Sequence, residues 1–299
     1  MSPVFTPADF VAAFNQTLEL AYPLVIIEGE LANFKVSRNT WVYFDVKDEL
    51  ASIKFFGSVF KLPGPLQDGL RVRVIGQPKL HPQFGFSITF STVLPVGEGS
   101  IKKAADLLRT KLATEGLFAP QRKRPLPAVP ARIGLITAAA SAACADFIKI
   151  LGERWGGVEV LLVDVLVQGQ EAPVAIVAAL KHFEQISPLA EVLVITRGGG
   201  SAEDLAAFND ERVVRAIAGS RTPTLVAIGH EVDISLAELA ADMRASTPTN
   251  AAQVVVPDRR HVISQLDAAG TSLQKFLQGY IATDLQGAAD NRKYLTSQA

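Results

Sequence analysis

The spacing of apolar and polar residues changes along the chain, and each change marks a different kind of packing. Between residues 24 and 96, apolar positions fall in short runs: Val25–Gly29, Trp41–Lys47, Ser52–Phe56, Leu70–Ile75 and Phe86–Phe90. In the second run Val42, Phe44 and Val46 alternate with Trp41, Tyr43, Asp45 and Lys47, the period of a strand with one buried face. From Arg132 onward the pattern differs. Short, mainly apolar runs at Arg132–Thr137, Val158–Val165, Val192–Thr196 and Thr224–Ile228 are separated by helix-length segments at Ala142–Leu151, Ala172–Phe183, Ala202–Ala218 and Leu236–Met243. Short strands that are apolar on both faces belong to a parallel sheet covered by helices.

Five short strands separated by turn residues predict a small all-β barrel, with an oligonucleotide-binding (OB) barrel as one candidate. Residues 1–22 read as a lead-in helix, and 100–118 as a helix with Ala104, Leu107, Leu108 and Leu112 on one face. The stretch QRKRPLPAVP, 121–130, resists helix and predicts a semi-rigid linker. From Asp258 the residues Val262, Leu266, Ala269, Leu273, Phe276, Tyr280 and Leu285 recur at three or four, predicting a helix whose apolar stripe needs a partner surface. Gly270, Gly279 and Gly287 weaken that helix by about 1 kcal/mol each relative to alanine. The expected organisation is an OB-fold region at 1–99 and a helix with linker at 100–131. An α/β region with an open, mostly parallel Rossmann-like sheet follows at 132–257, then the start of a helical extension at 258–299.

Composition narrows the function. A chain of 299 residues suggests about two domains, at roughly 150 residues each. The net charge of −1 argues against indiscriminate nucleic-acid binding and leaves room for a local basic patch. Cys144 is the sole cysteine, so no internal disulfide forms, which fits a reducing compartment. No secretion signal is visible, and no apolar run approaches the ~20 residues that cross a membrane, so a cytoplasmic protein is expected. There is no HExxH, no CxxC pair and no GxxxxGK[ST], so zinc chemistry and Walker-type nucleotide hydrolysis have no support.

Two strand-ending turns carry the candidate chemistry. Arg197 is followed by Gly198, Gly199, Gly200 and Ser201; Gly229 is followed by His230, Glu231 and Asp233. Both should open on the same edge of one sheet, where ligands of open α/β sheets bind. Glycine lets backbone N–H groups approach an anion, and the following helix adds its positive end. Arg197 offers a fork-shaped donor for phosphate oxygens. Histidine in general titrates near neutrality and can carry a proton, which makes His230 a candidate, with Asp233 placed to orient the ring or cap the next helix. The plainer readings are a tight turn at the glycines, a packed histidine and an N-cap aspartate. Asp146, in the first helix of the α/β region, could face the same edge; on spacing alone it reads as solvated, as do Asp210 and Glu211. A magnesium ion held by Asp146 and Asp233 stays open, and no cofactor is otherwise indicated.

In the barrel, basic residues are interleaved with Phe34, Trp41, Tyr43, Phe56, Phe84 and Phe86. Half or more of these aromatics are expected in the core. Alternation places Trp41, Tyr43, Lys54 and Phe56 outward, and with Lys35 they form the preferred single-strand-binding set, each base stack contributing about 1–3 kcal/mol.

Several segments together resemble the large subunits of bacterial exodeoxyribonuclease VII: IIEGELANFK (26–35), GLFAPQRKRPLP (116–127), RIGLIT (132–137), RGGGSAEDLAAFND (197–210), GHEVD (229–233) and RASTPTNAAQ (244–253). The likeness spans nearly the whole chain and keeps the order of the motifs. It implies an exonuclease that degrades single-stranded DNA to short oligonucleotides, and a small helical partner subunit held on the helical extension. Carried over by position, the functional residues are Asp146, Arg197, His230 and Asp233. The family usually has a Ser-Pro-Thr-Gly-type turn after the first α/β strand and an arginine before the aspartate. Here stand Ala138, Ala139, Ala140, Ser141 and Ala145, so one phosphate-binding cation and some turn polarity are missing. The family chain also runs well beyond this length, so the sequence reads as a short or truncated form. The alternative is a catalytically impaired single-strand binder on the same scaffold. A Rossmann-like nucleotide enzyme ranks last, since the glycines do not match GxGxxG and follow the third strand.

Overall fold

Strands β1 (Val25–Ser37), β2 (Trp41–Lys47), β3 (Ser52–Ser58), β4 (Arg71–His81) and β5 (Gly85–Pro95) close into a barrel in the order β1-β2-β3-β5-β4. The computed structural model describes residues 4–186, 189–198, 205–228 and 234–297, with side chains through 288. Closure depends on β1, whose first half pairs with β4 and whose second half pairs with β2. A bulge between Ala32 and Lys35 bends the strand. There Asn33 takes φ 54°, and the Asp68 carboxylate accepts the amides of Asn33 and Phe34. Strand β1 runs past Gly29, where the sequence reading stopped. A Cβ at Gly29 would lie 2.7 Å from the Lys47 carbonyl oxygen, so this glycine permits a close strand approach instead of ending the strand. Every second residue fills the barrel: Leu31, Val42, Phe44, Val46, Phe55, Val72, Val74 and Phe90 are buried.

Helix α1 (Pro7–Ala21) lies against β4, where the Asn15 side-chain amide donates to the Leu80 carbonyl and accepts the Leu80 amide. Helix α2 (Glu98–Thr114) leaves the barrel. Its Leu108 and Leu112 pack with Val214 and Leu236 of the α/β region, and Lys111 pairs with Glu211 at 2.8 Å. The proline-rich segment is docked: Arg124 binds the Asp242 carboxylate through two nitrogens, and Lys123 donates to the carbonyls of Leu239 and Ala241.

The second sheet comprises β6 (Arg132–Thr137), β7 (Glu159–Asp164), β8 (Val192–Thr196), β9 (Thr224–Ala227) and β10 (Met243–Arg244), in the order β10-β9-β8-β6-β7 with parallel pairings. Numbered within the sheet this is 2-1-3-4-5, a doubly wound order. Alternate residues serve opposite faces. Ile133, Leu135, Val192, Val194 and Leu225 meet α3 (Ala142–Arg154) and α7 (Pro248–Val255). Ile136, Leu193, Ile195 and Val226 meet α4 (Ala172–Phe183), α5 (Glu211–Gly219) and α6 (Leu236–Ala240).

Two helices differ from expectation. The segment read as one helix to Ala218 contains a 3-10 turn, Ala206–Asn209, and then α5, divided at Asp210. Asp210 is extended and accepts the Arg212 amide, so a side-chain bond replaces the helical one. It is 3% exposed and paired with Arg212 at 2.7 Å, which overturns its reading as a solvated surface charge. Glu211 is bonded by Lys111 and Arg215; burial alone would raise its carboxyl, but these cations hold it below its ordinary value. The helix read as Leu236–Met243 stops at Ala240, and Met243–Arg244 adds a fifth strand. Asp242 makes the break by accepting the Thr224 amide. Finally, α8 (Arg259–Ser297) extends the chain, with residues 263–288 exposed throughout.

Candidate functional site

The order of the second sheet reverses between β6 and β8, and in doubly wound sheets the crevice at the carboxyl edge of that switch point is where ligands bind. Strand β8 delivers Arg197, whose amide donates to the Ala227 carbonyl at 3.2 Å and whose side chain is 3% exposed. Gly198 follows beside α3, where an added Cβ would reach only ordinary contact with Ala143 at 4.0 Å. Packing alone therefore does not require glycine there. Asp146 is exposed on α3, one turn after Ala143. Gly199, Gly200, Ser201, His230 and Asp233 lie outside the described residues. Their roots are fixed nonetheless, because the two turns leave neighbouring parallel strands, with Thr196 opposite Ala227.

The second turn runs into α6. The helix cap is Ser235, whose hydroxyl accepts the Glu238 amide while Glu238 accepts the Ser235 amide, a closed capping box. Asp233 is therefore not needed as that cap. The Asn209 side-chain oxygen accepts the Leu236 amide at 2.8 Å and ties the start of α6 to the segment after the glycine turn.

The alanine-rich turn after β6 is held at both ends. Asp164, the last residue of β7, accepts the Ala139 amide at 2.8 Å. Ser141 caps α3 and donates to the Ala138 carbonyl. Asp164 escaped the sequence reading, although an aspartate closing the apolar run VLLVD was its signal. Thr137 and Thr196 end β6 and β8 side by side, and neither hydroxyl has a hydrogen-bond partner among the described residues. Burial and then the Asp164 charge push the Cys144 thiol up, which favours its neutral form. Among the described residues no three His, Cys, Asp or Glu side chains converge as a metal site.

The second cluster lies on the outside of the barrel. Register aligns Lys35, Tyr43, Phe56 and Thr89 across four strands, with Trp41 next to this row and Lys54 opposite Asp45. Trp41 stacks on Phe56 at 5.1 Å between centroids, and Tyr43 meets the same ring at 5.1 Å. Trp41 is 44% and Tyr43 46% exposed, and Lys35 and Lys54 are exposed. Of the six interleaved aromatics only Phe34 packs against the barrel core, fewer than expected, because the bulge at Asn33 turns it inward. Sequence reasoning missed His81, whose ring meets that of Phe84 at a tilt, 4.6 Å between centroids, in the β4–β5 turn. This face and the β1–β2 and β4–β5 turns are where OB barrels take their ligands.

An OB barrel joined to a doubly wound parallel sheet defines the class of protein. Residues 8–93 match the family described as "OB-fold nucleic acid binding domain", and residues 117–298 match "Exonuclease VII, large subunit". The chain belongs to the exonuclease VII large-subunit family. The exodeoxyribonuclease 7 large subunit of Rhodopirellula baltica is 39% identical over 267 residues, covering 88% of this chain and 60% of that protein. That of Xanthomonas campestris pv. campestris is 38% identical over 291 residues, covering 95% and 65%. The chain thus spans 60 to 65% of the length of these relatives. A chain from a replication protein A heterotrimer bound to ssDNA aligns at TM-score 0.22 and 18% identity, over 30% of this chain and 72% of that one, an overlap too slight to bear on the fold. Among the described residues no helix is long and apolar enough to cross a membrane.

Proposed function

We propose that this chain is a cytoplasmic exonuclease that hydrolyses phosphodiester bonds of single-stranded DNA and releases short oligonucleotides. The observation that carries this reading is the rooting of RGGGS and GHEVD on adjacent parallel strands at the carboxyl edge, in a member of this family. Arg197 and the amides of Gly198, Gly199 and Gly200, with Ser201, stabilise charge on the phosphoryl oxygens. Water attacks phosphorus and the bond to the leaving nucleotide oxygen breaks. His230 carries the proton of this exchange, oriented by Asp233. Asp146 positions the water or a divalent cation such as Mg2+. Lys35, Trp41, Tyr43, Lys54 and Phe56 hold the strand by charge and stacking. The exposed apolar stripe of α8, with Leu266, Leu273, Phe276 and Tyr280, receives a small helical subunit.

End-labelled single- and double-stranded DNA, incubated with the chain in magnesium and in chelator, tests the reading. Short products should come from the single strand alone, and His230→Ala should give none while binding DNA with unchanged affinity. Equal cleavage by that variant sinks the mechanism. Salt-sensitive binding without products from the parent chain would instead identify a binder only.

A further inference from the structure

A cleft of about 430 Å³ lies between the barrel and the α/β region. Its size is that of ligand pockets, which favour junctions between domains. Barrel residues Leu66, Val93 and Pro95 and the α2 residue Ala104 form one side, and Pro173, Val174 and Asn209 the other. The walls are thus mostly apolar. Two of its cations are already satisfied: Arg73 pairs with Glu28 at 3.0 Å and Arg212 with Asp210 at 2.7 Å. Lys61 also lines the cleft and has no acidic partner among the described residues.

The lining of the cleft continues in sequence toward the two clusters described above. At the barrel end, β3 carries Phe56 of the aromatic row and Ser58 opposite Trp41, and the 3-10 turn Val59–Lys61 that follows carries Phe60, which is 76% exposed, and Lys61 at the cleft. At the other end, the wall residues 169–174 follow β7 at the carboxyl edge of the sheet, and Asn209 is the residue that anchors the start of α6. The lining is thus contiguous in sequence with both the stacking face and the carboxyl edge of the second sheet.

We infer that this cleft receives an unpaired nucleotide of a single strand on its way from the barrel face to the crevice, the base between the apolar walls and the phosphate on Lys61. The inference rests on the nuclease reading for the direction of travel, not for binding itself. It also supplies a cause for strand selectivity. A base in a duplex has its faces covered by stacking and its edge by pairing, so it cannot enter apolar walls, whereas an unpaired base gains burial there.

The test is photocrosslinking of the 299-residue chain to single-stranded oligonucleotides containing 5-iodouracil, with peptide mapping of the adducts. Adducts should fall on residues 60–66 or 170–174 as well as on 41–56. Val174 is 54% exposed, so Val174→Trp can fill the cleft without entering the core. That variant should lower oligonucleotide affinity about tenfold, the loss of roughly one stacked base. Lys61→Ala should lower affinity less and flatten its salt dependence. Adducts confined to the barrel face, with affinity unchanged in both variants, overturn the proposal even if cleavage is robust. Cleft adducts in a chain that yields no products uphold it and count against the nuclease reading alone.

Discussion

Thr137 and Thr196 show at the scale of single residues how a functional edge departs from optimal stability. Both are fully buried, and their strand parity turns them toward the α3 face. A buried hydroxyl without a partner is costly, and such groups persist where something other than packing keeps them. At neighbouring strand ends beside Arg197, the proposed reaction supplies that reason: the hydroxyls border the place where a phosphoryl group would be held. Replacing both with valine removes two buried hydroxyls that have no partner among the described residues, at nearly constant volume. The double variant should gain about 1–2 kcal/mol in urea unfolding. Its cleavage of single strands should slow at the same time. A variant no more stable than the parent would mean that the hydroxyls already have partners, and would remove this argument.

Among elements, the docked linker has the sharpest energetic consequence. The Asp242 side chain is 6% exposed and accepts from Arg124 and from the Thr224 amide. Burial would raise its carboxyl, yet the Arg124 bonds, the Thr224 amide and the Arg124 charge outweigh burial and leave it below its ordinary value. A depressed carboxylate stabilises the fold fully above its unfolded pKa, near 3.9, and that contribution fades as pH falls through the lower folded value. Asp242→Asn should cost about 2–4 kcal/mol at pH 7, between an exposed and a buried pair. The gap between variant and parent should narrow toward pH 3, as followed by urea unfolding at both pH values. A gap that stays constant with pH would assign the loss to packing. The same residue shows where the sequence was legible. Periodicity located β2, β6, α4 and β8 to the residue, because their apolar runs are bounded by turn residues. It missed β10, since two residues have no period, and it joined α5 to the preceding turn, since a break made by one aspartate's bond to Arg212 leaves the apolar spacing intact. The outward aromatics Trp41 and Tyr43 were readable from alternation. The place of Asp164 at a strand end was visible, but its bond to the Ala139 amide and the His81–Phe84 contact were not, because each depends on a partner brought near by the fold.

At the scale of the molecule, two regions with separate cores are fastened by α2 and the linker, while α8 stands apart. Leu108 and Leu112 of α2, Lys111 with Glu211, and Arg124 with Asp242 tie the barrel to the α/β sheet across several independent contacts. Among the described side chains α8 shows no such fastening: from residue 263 to 288 every side chain is exposed, including Leu266 at 66%, Phe276 at 69% and Leu285 at 66%. A helix contributes to global stability chiefly through the face it packs, and intrinsic propensity is a minor term that Gly270, Gly279 and Gly287 reduce further. Deleting residues 263–299 should therefore move the melting temperature of the remainder by less than about 2 °C, where 1 kcal/mol corresponds to roughly 2–4 °C for a protein of this size. The helical signal in circular dichroism should fall in proportion to the residues removed. Scanning calorimetry of the two forms checks both halves of the argument at one concentration, and dilution separates a further effect. If the full chain covers its stripe by self-association, its melting temperature falls on dilution while that of the shortened chain does not. A large, concentration-independent drop on deletion would show that α8 folds back on the body of the protein, and the stripe could then not serve as the open surface for a helical subunit.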